Sequence, residues 1–131
     1  MASFGTRSLE HLNTLDPRLH RVLVASIRTF DFTVLIGHRD EAAQNEAQAS
    51  GRSTVRWPHS KHNMSPSLAV DLAPWPIDWA DRERFTYLAG HIVGIGSHMG
   101  VPIRWGGDWD KDTEVRDNGF DDLVHFELGD P

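Results

Sequence analysis

The spacing of apolar positions changes repeatedly along the chain, and each change marks an element. Asp16-Pro17 pairs a cap residue with the residue best suited to a first helical turn. Leu19, Val22, Leu23 and Ile27 then recur at helical intervals and predict a core-facing helix to about Arg28. FDFTVLI, Phe30 to Ile36, is aromatic and β-branched and predicts a strand. After GHRD, Asp40 caps an alanine-rich helix, EAAQNEAQAS, which Gly51 stops. A loop rich in Ser, Arg, His and Pro fills 52–66, and Leu68 to Ala73 reads as a second strand, closed by Pro74 and Pro76. Phe85, Leu88, Ile92 and Val93 give a long helix from about Asp78 to a terminator at Gly100. Val101 to Trp105 predicts a third strand. A loop of about 17 residues, a length usually functional or disordered in a compact domain, then leads to a last strand, LVHFEL. Helices and strands do not alternate as strict βαβ units. The expected fold is therefore α+β with a small, mostly antiparallel sheet, one domain over residues 1–131.

One position breaks the pattern. Alternation along the second strand puts Leu68, Val70 and Leu72 on one face and Ala69, Asp71 and Ala73 on the other. An ionised carboxylate in such a strand is costly unless it is paired or bound to a metal. In LVHFEL, Leu123, His125 and Glu127 share a face opposite Val124, Phe126 and Leu128. With His62 in the loop before the second strand, the chain offers two imidazoles and one carboxylate. That is the protein ligand set of a catalytic zinc site with one position left for water. Spacing alone leaves another outcome open, in which Asp71 pairs with an arginine and His125 is a hydrogen-bonded core histidine.

Composition narrows the chemistry further. The chain has no cysteine, so disulfides and thiolate ligands are excluded and any metal must use His, Asp or Glu. The net charge is −6, and lysine occurs only at positions 61 and 111, so the basic footprint of a nucleic-acid binder is missing. No run of 18 or more apolar residues suits a membrane-spanning helix. The start, MASFGTRSLEH, has no apolar core and no cleavage-like pattern, and no secretory signal is read there.

Four stretches occur in order: GHRD at 37–40, SKHNMSPSLAVDLAP at 60–74, RWGGDW at 104–109 and GFDDLVHFEL at 119–128. Together they resemble the zinc peptidases that include D-Ala-D-Ala carboxypeptidases, vancomycin-resistance dipeptidases and short phage endolysins that act as L-alanyl-D-glutamate endopeptidases. The resemblance implies a compact α+β fold and a mononuclear zinc site. Its Ser-x-His…Asp motif falls on Ser60, His62 and Asp71, and its third ligand on His125. Eight residues separate His62 from Asp71 where many members have six, and Pro66-Ser67 resembles the phage branch. The family's catalytic carboxylate falls on Asp122, often Glu elsewhere, and its substrate-side arginine on Arg39.

Several neighbours compete for these roles. Asp121 rivals Asp122, and His59 rivals His62, although only His62 fits the motif. Arg39 could instead balance Asp40. Glu127 could orient a ligand or lie at the surface, and Trp105, Trp109 and Trp57 could line a substrate groove or fill the core. His11, His20, His91 and His98 fall on helices and receive no role.

The resemblance implies a Zn²⁺-dependent hydrolase whose substrate is the peptide stem of peptidoglycan. Asp122 would act as general base, and Arg39 would stabilise the developing oxyanion. A small, leaderless, cysteine-free enzyme is expected to accumulate in the host cytoplasm until the membrane is permeabilised; a monomer is expected. That favours a phage endolysin cutting L-Ala–D-Glu. The enzyme alternative is a D-alanyl-D-alanine carboxypeptidase or dipeptidase. The alternative of another class is an inactive metal-binding structural or virion protein.

Overall fold

In a computed structural model that describes residues 2–116 and 121–129, local signals set most of the elements. Helix α1 (Thr6–Leu12) precedes α2 (Pro17–Ser26), where the Asp16 carboxylate accepts from the backbone N–H of Arg18. Strand β1 (Phe32–Ile36) leads through Asp40, whose carboxylate caps Ala43, into α3 (Glu41–Ala49). Gly51 follows at φ +80, a left-handed conformation that suits glycine after a helix end. A single 3₁₀ turn (Lys61–Asn63) then precedes β2 (Ala69–Pro74). The long helix α4 (Arg82–His98) follows, then β3 (Ile103–Gly106) and β4 (Asp122–Leu128).

The four strands form one sheet in the order β1-β2-β4-β3, and every strand pair is antiparallel. The last strand in the chain is therefore inserted between its two predecessors. Val70 and Leu72 of β2 and Phe126 and Leu128 of β4 join Leu19, Val22 and Leu23 of α2 and Leu88 and Ile92 of α4 in one core. Burying a side chain of this size contributes about 1.5–3 kcal/mol. No helix of the described residues is long and apolar enough to cross a membrane.

Several boundaries differ from the sequence expectation. The pattern does not announce α1, because Leu9 is exposed and only Leu12 of its apolar residues is buried. Strand β1 begins at Phe32 rather than Phe30, and β3 begins at Ile103 rather than Val101. Helix α4 starts at Arg82, not Asp78. Asp81 provides the cap by accepting from Arg84 N, while Asp78 closes a preceding turn through Ala80 N.

A further difference lies in β4 and matters most for the site. Ile103, Arg104 and Trp105 face Leu128, Glu127 and Phe126, so unbroken register would bring Gly106 opposite His125; it faces Asp122 instead. Strict alternation fails across this irregularity. Leu123, expected beside His125, packs against the core, while Asp122 turns toward the opposite side. A bulge re-aims side chains in this way.

Candidate metal centre and active site

Asp71 and His125 face each other directly across the β2–β4 pair, as the alternation of both strands requires. His62 reaches them from the 3₁₀ turn, which is built by local capping. Ser60 Oγ accepts from His62 N, and Asn63 Oδ1 accepts from Ser60 N. The turn is tied to the end of β1 by Arg39 N donating to His62 O at 2.8 Å. Asn63 Nδ2 reinforces it by donating to Arg39 O and Gln44 Oε1.

The candidate ligand atoms of His62, Asp71 and His125 all lie within 4.8 Å of one another, and all three residues are buried. His62 Nδ1 lies 2.8 Å from the carbonyl of Gly37, which only accepts, so this nitrogen carries the proton. Its Nε2 is thereby the ring nitrogen that faces Asp71 Oδ1, 3.2 Å away. His125 Nδ1 approaches the same oxygen at 3.5 Å, while its Nε2 is 2.8 Å from Glu127 Oε1. Three atoms able to act as ligands converge on a point where a cation could sit. The donor set of two imidazole nitrogens and one carboxylate fits zinc.

Without a metal, protons hold this cluster together. Burial pushes the Asp71 carboxyl up, but hydrogen bonds from His125 and His62 outweigh it and hold the group well below the usual carboxylate range. Burial pushes His125 down, but Asp71 and Glu127 raise it to about 9. Glu127 is opposed by its own burial yet drawn down to about 2 by His125, Lys61 and Arg104. Its Oε2 lies 2.9 Å from Lys61 Nζ and 2.6 Å from Arg104 Nη2. Lys61 and Arg104 have no role in the sequence reading. The signal that could have found Lys61 is its place beside His62 in the SKH stretch.

The ligand cluster lines a cavity of about 350 Å³ together with Arg39, Ser60, Trp109, Asp122 and Glu127. Arg39 is 9% exposed, and its guanidinium lies 3.5 Å from Asp71 Oδ2. The arginine partner weighed for Asp71 is thus present beside the histidines. Burial raises the pKa of Asp122, and the charge of Asp71 adds to the rise. Asp121 points elsewhere and pairs with Arg82. His59 also lines the cavity but is exposed, outside the buried ligand group.

Among the tryptophans, Trp109 lies over the site, its ring 5.5 Å from that of His125. Trp105, expected as a candidate groove residue, is 5% exposed in the core and donates its indole N–H to Leu123 O at 2.8 Å. It does not line the cavity, and neither does Trp57. Gly119 and Phe120 of the GFDDLVHFEL stretch lie outside the described residues.

Residues 1–129 match the profile of a family described as phage L-alanyl-D-glutamate peptidase. An L-alanyl-D-glutamate peptidase of Escherichia phage T5 is 32% identical over 133 residues, covering 95% of this chain and 96% of that protein. The crystal structure of an L-Ala D-Glu endopeptidase of Serratia marcescens matches with a TM-score of 0.74 and 27% identity, over 96% of this chain and 89% of that one. With sequence match, fold and site geometry in agreement, this chain belongs to the phage L-alanyl-D-glutamate peptidase family.

Proposed function

We propose that this protein hydrolyses the L-Ala–D-Glu bond in the stem peptide of peptidoglycan, using a zinc ion held by His62, Asp71 and His125. The observation that carries the proposal is the convergence of those three buried ligands on a cavity that also holds Asp122 and Arg39. Bound there, zinc would supply Lewis acidity toward the scissile carbonyl and acidify a water.

Asp122 accepts the proton of the attacking water and passes it to the departing amine. Its raised pKa suits a group that must act first as base and then as acid. Arg39 is preorganised by burial and by Asp71, and directs its positive charge at the oxygen where negative charge develops. Glu127 fixes the ring of His125, and Ser60 positions His62 through the cap of its turn. Arg52, Lys61 and Arg104 add cationic character to the cavity wall in a chain of net charge −6. That suits D-Glu, which keeps one free carboxylate when the other forms a peptide bond. The phage relative supports delivery to the wall from the host cytoplasm once the membrane is opened.

Digestion of purified peptidoglycan, with the new termini identified by mass spectrometry, tests the proposal. New D-Glu amino termini are expected, and they should vanish with chelator. Released D-Ala would instead indicate the carboxypeptidase. No new terminus under any metal condition would indicate a structural protein.

A further inference from the structure

The RWGGDW stretch contains no proposed ligand, base or oxyanion donor, yet four of its residues brace the part of β4 that carries Asp122 and His125. Arg104 binds Glu127 and lies 5.6 Å over the Trp109 ring, and Trp109 packs on His125. Trp105 and Gly106 act at the other end, where β4 leaves its register with β3. The Trp105 indole N–H holds the Leu123 carbonyl at 2.8 Å, within the displaced segment. Gly106 faces Asp122 across the strand pair, and a Cβ at position 106 would lie 2.1 Å from Asp122 O and 3.0 Å from Asp122 Cβ. Gly106 does not have positive φ, so the requirement for glycine here is room for the neighbouring backbone. Gly107 has the matching role toward the indole, since its Cβ would lie 2.4 Å from the Trp105 ring.

We infer that Trp105 and Gly106 are positioning residues for Asp122: one anchors the irregular segment of β4 and the other leaves space for it, turning the carboxylate into the cavity. Without that irregularity, alternation from Phe126 would place Asp122 on the core side of the sheet. A methyl group at 106 must displace the Asp122 backbone by about 1 Å, a misplacement that costs on the order of 10²-fold in rate when it falls on a catalytic group. The inference rests on the role proposed above for Asp122.

The test is a mutant cycle of Gly106→Ala with Asp122→Asn, read as kcat and KM on a soluble stem peptide, with zinc content and thermal melting measured alongside. Gly106→Ala is expected to lower kcat roughly 10²-fold with KM and zinc content little changed. In the Asp122→Asn background it should cost nothing more, because coupled residues are not additive. A crystal structure of Gly106→Ala should show the Asp122 carboxylate withdrawn from the cavity, whether or not metal is bound. If Gly106→Ala fails to fold, Trp105→Phe keeps a ring, removes the indole donor and enters the same cycle, with a loss of roughly tenfold expected from one hydrogen bond. Wild-type kcat in a folded Gly106→Ala protein beside an inactive Asp122→Asn would overturn the inference alone. So would a full additional loss from Gly106→Ala in the Asp122→Asn background. Full activity of Asp122→Asn would instead remove the base assignment, and the inference with it.

Discussion

Glutamine at position 127 removes a charge while keeping the shape of the side chain. In the native protein the Glu127 carboxylate is 2.8 Å from His125 Nε2 and 2.6 Å from Arg104. Holding the proton on Nε2 leaves His125 Nδ1 with an electron pair, and Nδ1 is the atom that approaches Asp71. A glutamine amide can turn its NH₂ toward Nε2 and invert that preference. Charge-assisted hydrogen bonds contribute about 1.5–3 kcal/mol each. The Lys61 and Arg104 side chains are each 37% exposed, so water screens much of the loss on that side. The cost therefore concentrates on the buried His125 contact. Removing such an orienting partner weakens metal binding by about 10–100-fold, or about 1.4–2.8 kcal/mol. Competition with a chromophoric chelator at neutral pH measures it directly. Native zinc affinity in a folded Glu127→Gln protein would refute the orienting role.

The remaining expectations concern the same cluster. One zinc per chain is expected, lost in His62→Ala, Asp71→Ala and His125→Ala and kept in His59→Ala; elemental analysis decides, and full zinc in His125→Ala would rule out the ligand assignment. Asp122→Asn should keep zinc and lose roughly 10²–10⁴-fold in turnover, while Asp121→Asn should lyse walls almost normally because Asp121 pairs with Arg82 outside the cavity. If both variants are fully active, the base lies elsewhere. The metal-free protein should lose stability as pH rises. The pKa of His125 is raised from 6.5 to about 9, so its contribution is complete below about pH 6.5 and lost through about pH 9. The loss is on the order of a few kcal/mol. Melting curves in chelator should show this decline, and zinc-loaded protein should not; a flat metal-free profile would contradict the pairing described for His125.

Much of the site is legible in the sequence because it obeys local rules. Period-two alternation puts Asp71 and His125 on the polar faces of their strands, and the structure pairs them across the β2–β4 ladder. The Ser60 cap and the position of His62 are likewise local. What the sequence hides is non-local. The departure of β4 from β3 inverts the alternation at Leu123 and Asp122, and only the family resemblance pointed to Asp122. Trp105 looks the same in sequence whether it faces a groove or a core. Lys61 and Arg104 meet at Glu127 only after distant segments pack, so their pairing has no sequence spacing to betray it.

The strand order has a consequence for biosynthesis. Strand β4 is translated last among the four but occupies an interior place between β2 and β3. Until it arrives, those two strands present unpaired edges, and the growing polypeptide lacks both His125 and Asp122. A chain that stops before β4 would therefore lack both the third proposed ligand and the proposed base. The sheet, and with it the proposed site, is complete only once the strand that comes fourth in sequence takes its place between the second and third.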